Sequence, residues 1–253
     1  MINFMLALAL VATPAPAVLE AGHVDIGPRY RDGKWTVQVH DDTAVPAVWR
    51  DPAATVLRVR DTALRPVPDD EAYAFLGARP GTEVHVVPQT ERQGVVWIGW
   101  NTQDPGVRSA VSRGVTMTLR GVQGPGDVSV FLQSGNLGAP QVLWSSAKPF
   151  PQPVWVENNT HTHANWVFSE PGVYLLAVGF AADLADGSGV DAEAVLRFAV
   201  GDATDPASSS APRAPVSDLS NGTEKPPLLP VGAGLLAALL IVALAVVLRR
   251  AAR

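Results

Sequence analysis

Apolar and polar residues alternate along much of the chain. In "KWTVQVH", Trp35, Val37 and Val39 fall on one side of an extended backbone, and Lys34, Thr36, Gln38 and His40 on the other. A period of two is the pleat of a half-buried strand. Ala54–Arg60, Thr82–Val87, Gly94–Trp100 and Gly114–Val122 read the same way, as do Gly126–Gln133, Ala139–Ser146, Pro171–Phe180 and Ala192–Val200. Gly and Pro punctuate the runs. One short helix is predicted over Asp69–Leu76, where acids can cap and fill the first turn and Gly77 can end it. Many short strands between turn residues predict an all-β, antiparallel β-sandwich from about Val18 to Gly201, with an immunoglobulin-like second half beginning near Gly94. No internal repeat is evident.

The two ends break this pattern. Residues 1–17, "MINFMLALALVATPAPA", carry an apolar centre from Phe4 to Ala12 and a small-residue Ala15-Pro16-Ala17, which reads as a signal peptide without the usual basic start. Residues 202–227 lose nearly all large apolar side chains and read as a Pro/Ser/Ala stalk. Residues 228–248 are apolar almost throughout, long enough for one transmembrane helix, and the basic tail 249–253 follows on the expected cytoplasmic side. The expected arrangement is a single-pass, type I protein of the plasma membrane with an extracellular ectodomain.

Composition sharpens the function classes. The chain holds 19 basic and 24 acidic residues; without the three tail arginines the balance is 16 to 24. That acidity argues against nucleic-acid partners. There is no cysteine, so thiolate metal sites, cysteine nucleophiles and disulfides are excluded. No G-x-S-x-G elbow, H-E-x-x-H helix or phosphate loop is present, and the pairs Asp41-Asp42 and Asp69-Asp70 read as solvated turn or capping residues. No catalytic residues are assigned, and the chain is read as a non-enzyme.

Histidine is the informative residue. There are five, and two stand one residue apart in "NNTHTHANWVFSEPGVY". On a strand, His161 and His163 project from one face with Cα atoms about 6–7 Å apart, close enough to share an ion if other ligands join them. Asn165 would lie on the same face, with Thr162, Ala164 and Trp166 on the other. His23 and Asp25 repeat the i, i+2 spacing in "GHVDIG"; His40 and His85 are the other histidines available. Imidazole suits zinc, copper, iron and nickel, so ligand type alone does not name the metal. Trp97 and Trp100 in "WIGWN" read as one core ring and one ring against a loop.

The segment "THTHANWVFSEPGVYLLAVGF" and the later "ADGSGVDAEAVLRFAVG" resemble the actinobacterial surface-anchored protein domain, of the choice-of-anchor type associated with anchored ABC-transporter systems. Upstream, "GHVDIGPRYRDGKWTVQVHD", "FLGARPGTEVHVVPQT", "VVWIGWNT" and "LRGVQGPGDVSVF" carry the same resemblance. It implies a surface accessory to a metal-type importer, with transporter components or a substrate-binding protein as partners. A sortase substrate would show L-P-x-T-G before the apolar run; here "LLPVGAG" has Gly232 in the threonine position, so retention by the span is expected.

Two readings follow. In the first, His161 and His163, completed by His23 and Asp25 or by His40, bind a transition metal such as zinc or a metal complex. In the second, the same face only hydrogen-bonds its neighbours, with Asn165 pinning the Pro171-Gly172 turn, and the domain contacts a partner protein, wall or glycan.

Overall fold

The computed structural model describes residues 15–135 and 138–210; the core of the predicted signal peptide, residues 211–227 of the predicted stalk, the apolar segment and the basic tail lie outside the described residues. The strands run β1 (Ala17–Leu19), β2 (Gly22–Arg31), β3 (Lys34–Asp41), β4 (Val48–Arg50), β5 (Thr55–Val59) and β6 (Leu64–Pro66). Then come β7 (Glu83–Val87), β8 (Val96–Asn101), β9 (Val111–Gln123), β10 (Val128–Leu132) and β11 (Gln141–Ser145). The last are β12 (Gln152–Glu157), β13 (His161–His163), β14 (Asn165–Phe168), β15 (Gly172–Leu184) and β16 (Gly189–Val200). The described residues are therefore mostly β, in three sheets: β1-β5-β16-β15-β9-β12, β11-β10-β14-β7-β6 and β13-β8-β2-β3-β4.

Most neighbours are antiparallel, but β1/β5, β5/β16 and β2/β8 pair in parallel. Strands after Gly94 are shared among all three sheets with strands from the first half, so the second half is not a separable unit. The predicted short helix is a 3-10 helix, Glu71–Leu76, capped by Asp70 and closed by Gly77 at φ 70°. That left-handed angle is why a glycine ends it. A six-residue helix, α1 (Pro105–Ala110), has Asp104 accepting from the Gly106 and Val107 amides and Pro105 in its first turn.

The alternation pays off in one continuous apolar core. Val24, Ile26, Val39, Ile98 and Trp100 enter it from the sheet containing β2, Met117, Phe180 and Phe198 from the six-stranded sheet, and Val130, Trp166 and Phe168 from the third. Trp35 Nε1 donates to the Phe180 carbonyl at 2.8 Å, tying β3 to β15. The residues opposite these core positions on β2, β3 and β8 are left facing outward, and this outer face carries the site.

Asp41 closes β3 and is 1% exposed. Burial alone would raise its carboxyl pKa, but bonds from Thr43 and Arg50 outweigh it and hold the pKa below the usual value. Arg50 Nε reaches Asp41 Oδ2 at 2.7 Å. A depressed folded-state pKa means stability that is present above the unfolded value near 3.9 and lost as pH falls through the folded one. Wild type is thus expected to exceed Asp41→Asn in urea stability above about pH 5, with the gap closing below about pH 4; a gap independent of pH would contradict this.

Candidate metal site

The four candidate ligands lie on two strands, His23 and Asp25 on β2 and His161 and His163 on β13, and sheet register brings them together. β13 pairs with β8 so that His161 lies opposite Asn101 and His163 opposite Gly99. β8 pairs with β2 so that Gly99 lies opposite Asp25 and Trp97 opposite His23. One row across the sheet therefore reads His163, Gly99, Asp25, His40, Trp49. Strands two apart are separated by roughly 10 Å, twice the usual spacing. His163 and Asp25 bridge that gap by leaning over Gly99. A Cβ at Gly99 would come 2.5 Å from Asp25 Oδ1, 2.7 Å from the Thr162 carbonyl and 2.9 Å from His163 Cε1. Only a glycine leaves the space.

Over it, three imidazoles converge. His23 Nε2 lies 3.1 Å from His161 Nε2 and 3.0 Å from His163 Nε2, and the last two are 3.1 Å apart. Asp25 Oδ2 lies 2.9 Å from His161 Nε2 and 3.5 Å from His23 Nε2, and Oδ1 lies 3.7 Å from His163 Nε2. All four ligand atoms fall within 4.8 Å of one another. An ion about 2.0–2.1 Å from each nitrogen would stand about 1 Å off their plane. Three nitrogens and a carboxylate oxygen on one side form an open, borderline-soft donor set suited to zinc and its neighbours in the first transition row.

Hydrogen bonds do not account for this arrangement. A neutral imidazole has one N–H and one lone pair, so three mutually close Nε2 atoms cannot each be satisfied by the other two. Asp25 is buried, and while Oδ2 accepts from Asn101 Nδ2 at 2.8 Å, Oδ1 has no hydrogen-bond partner. An unpaired buried carboxylate oxygen is costly. A shared cation would satisfy both.

The surroundings of His163 favour the neutral, ligating form of its ring. His163 lies flat against Trp97, centroids 3.7 Å apart and planes 13° from parallel. Burial pushes its pKa down to about 4, helped by the neighbouring His23 and His161 rings and opposed by Asp25. Its Nδ1 makes no hydrogen bond of good geometry, though the Ile98 backbone lies close enough to favour protonation slightly. His23 Nδ1 meets Asp42 Oδ2 at 2.5 Å, which leaves Nε2 free to ligate when Nδ1 carries the proton.

His40, considered as an alternative ligand, is not in the cluster. It sits opposite Asp25 in register, but its Nδ1 pairs with Asp42 Oδ1 at 3.2 Å and its ring packs on Trp49 at 4.5 Å. Asn165 also leaves the face expected for it. The chain changes sheet at Ala164, and Asn165 Oδ1 accepts from the Gln89 amide at 2.9 Å rather than pinning Pro171-Gly172. His85 is buried elsewhere against Asp61, at 3.0 Å.

Three contributors escaped the sequence reading: Gly99, Asn101 and Asp42. Asp42 stood in view as half of an acidic pair, and only register reveals that it bridges His23 and His40. Removing such a carboxylate typically costs 10–100-fold in metal affinity. Asp42→Ala is therefore expected to weaken zinc binding by about 10–100-fold, and His40→Ala by much less. Zinc titrations of both variants check the order; equal losses would contradict it.

Comparison with protein-family models, with curated proteins and with solved structures produced no match for this chain. The functional reading therefore stands on the cluster itself.

Proposed function

We propose that this chain binds one divalent transition-metal ion through His23, Asp25, His161 and His163, and that this is its biochemical role. The observation that carries the reading is the convergence of three Nε2 atoms at 3.0–3.1 Å beside a buried carboxylate oxygen that has no hydrogen-bond partner among the described residues. The proposed setting, taken from the sequence resemblance, is the cell surface beside a metal-type importer, to which the bound ion would be passed.

Thermal unfolding of the full chain, stripped by chelator and then titrated with Zn²⁺, tests the reading. At a hundredfold excess over Kd, binding adds about 2.7 kcal/mol. For a domain of this size that raises the midpoint by several degrees, on the order of 5–10 °C. The paired substitution His161→Ala and His163→Ala is expected to abolish the shift. A midpoint indifferent to both zinc and chelator would sink the metal reading and leave the interaction module.

A further inference from the structure

The four ligands are not held alike. Side-chain exposure is 1% for Asp25, 8% for His163, 22% for His23 and 35% for His161. Asn101 fixes Asp25, Trp97 lies under His163 and Asp42 braces His23. His161 differs: among the described residues, its hydrogen-bonding and ring contacts are all with other members of the cluster.

Its place in the chain fits that freedom. β13 is a three-residue strand at the edge of its sheet, and His161 opens it, two residues after Asn159 at φ 61°. The backbone there is nevertheless fixed. The Thr102 amide donates to the Thr160 carbonyl at 2.9 Å, and the Thr160 amide donates to Thr102 Oγ1 at 2.9 Å. A ring whose described contacts all lie within the cluster, on a fixed backbone, can leave by rotating its own side chain, without disturbing the sheet.

We propose that His161 is the exchange ligand of the site. His23, Asp25 and His163 form a standing seat for a divalent transition-metal ion, and the ion enters and leaves on the His161 side. This rests on the metal reading above and extends it: the ion is exchangeable cargo, not a sealed structural ion. Structural sites close all four positions with protein ligands held in place. Here one position is closed by a ring that solvent or an incoming chelating group can replace, while three donors keep hold.

The test is release kinetics. The full chain loaded with Zn²⁺ alone is mixed with rising concentrations of a chromophoric chelator, for wild type, His161→Ala and His163→Ala. Melting of each metal-free protein confirms folding, and His161→Gln repeats the measurement with a side chain of similar reach. The expected wild-type release rate climbs with chelator concentration, because the chelator attacks at the open side. His161→Ala is expected to keep zinc but release it at least about tenfold faster, since affinity differences between variants appear mainly in dissociation. His163→Ala is expected to lose measurable binding. Release that is independent of chelator concentration and equal in wild type and His161→Ala would overturn the exchange role while sparing the metal reading. Wild type that takes up no zinc would overturn both.

Discussion

Gly99→Ala is expected to weaken zinc binding by about 10–100-fold while the metal-free domain still folds. The added methyl has nowhere to go: Asp25 Oδ1, the Thr162 carbonyl and His163 Cε1 would all lie within 3 Å of it. Overpacking of this kind typically costs about 1–3 kcal/mol, and each 1.4 kcal/mol is about tenfold in affinity. The strain falls on the two ligands and on the edge strand that carries them, so it is relieved by letting β13 or the Asp25 carboxylate move out of place. Core residues on the other face of β8, Ile98 and Trp100, are untouched. Zinc titration with metal-free melts checks this; full affinity in a folded Gly99→Ala protein would show that the leaning of His163 over β8 is not what assembles the site.

The largest stability effect is expected at Phe198. It is fully buried, and its ring lies 5.0 Å from Phe168 and 6.0 Å from Trp166, joining β16 to β14. Truncation of such a ring removes its transfer free energy and leaves a cavity, for a loss of about 3–5 kcal/mol in Phe198→Ala. The unfolding midpoint should fall by roughly 10 °C. β14 follows β13 after a single residue, so this aromatic cluster also anchors the C-terminal side of the His-x-His strand. A loss under about 1 kcal/mol would mean that the three sheets do not share one core as described.

Much of the fold was legible because alternation maps directly onto a pleated, half-buried surface. Each of the nine strands read from the pattern has a counterpart, from Lys34–Asp41 to Gly189–Val200. Those missed had little pattern to show. β1, β4 and β6 are three residues each, β12 carries Pro153 within it, and the ten-residue β2 has Gly27-Pro28 in the middle of its run. α1 did carry a signal, Asp104 followed by Pro105, which is the start of a capped helix.

The candidate site was legible in the residues proposed as ligands and not in their supports. Histidine pairs at i, i+2 announce a shared face whatever the partner strand is. What Gly99, Asn101 and Asp42 do depends on which strand lies beside which, and β2 pairs with β8 across more than 70 residues of sequence. His40 shows the same limit in reverse: it has the right residue type, strand and face, yet Asp42 and Trp49 turn its ring away. The break at Ala164 was hidden because "HTHANW" alternates without interruption, while the chain passes from one sheet to another in the middle of it.

X-ray absorption at the zinc edge, on the full chain loaded to saturation, tests the central claim most directly. One zinc per chain is expected, with imidazole scattering and a shell of nitrogen and oxygen at about 2.0–2.1 Å, and with no zinc retained after His161→Ala and His163→Ala together. Absence of stoichiometric zinc from the wild type, or an unchanged spectrum in that double variant, would contradict it.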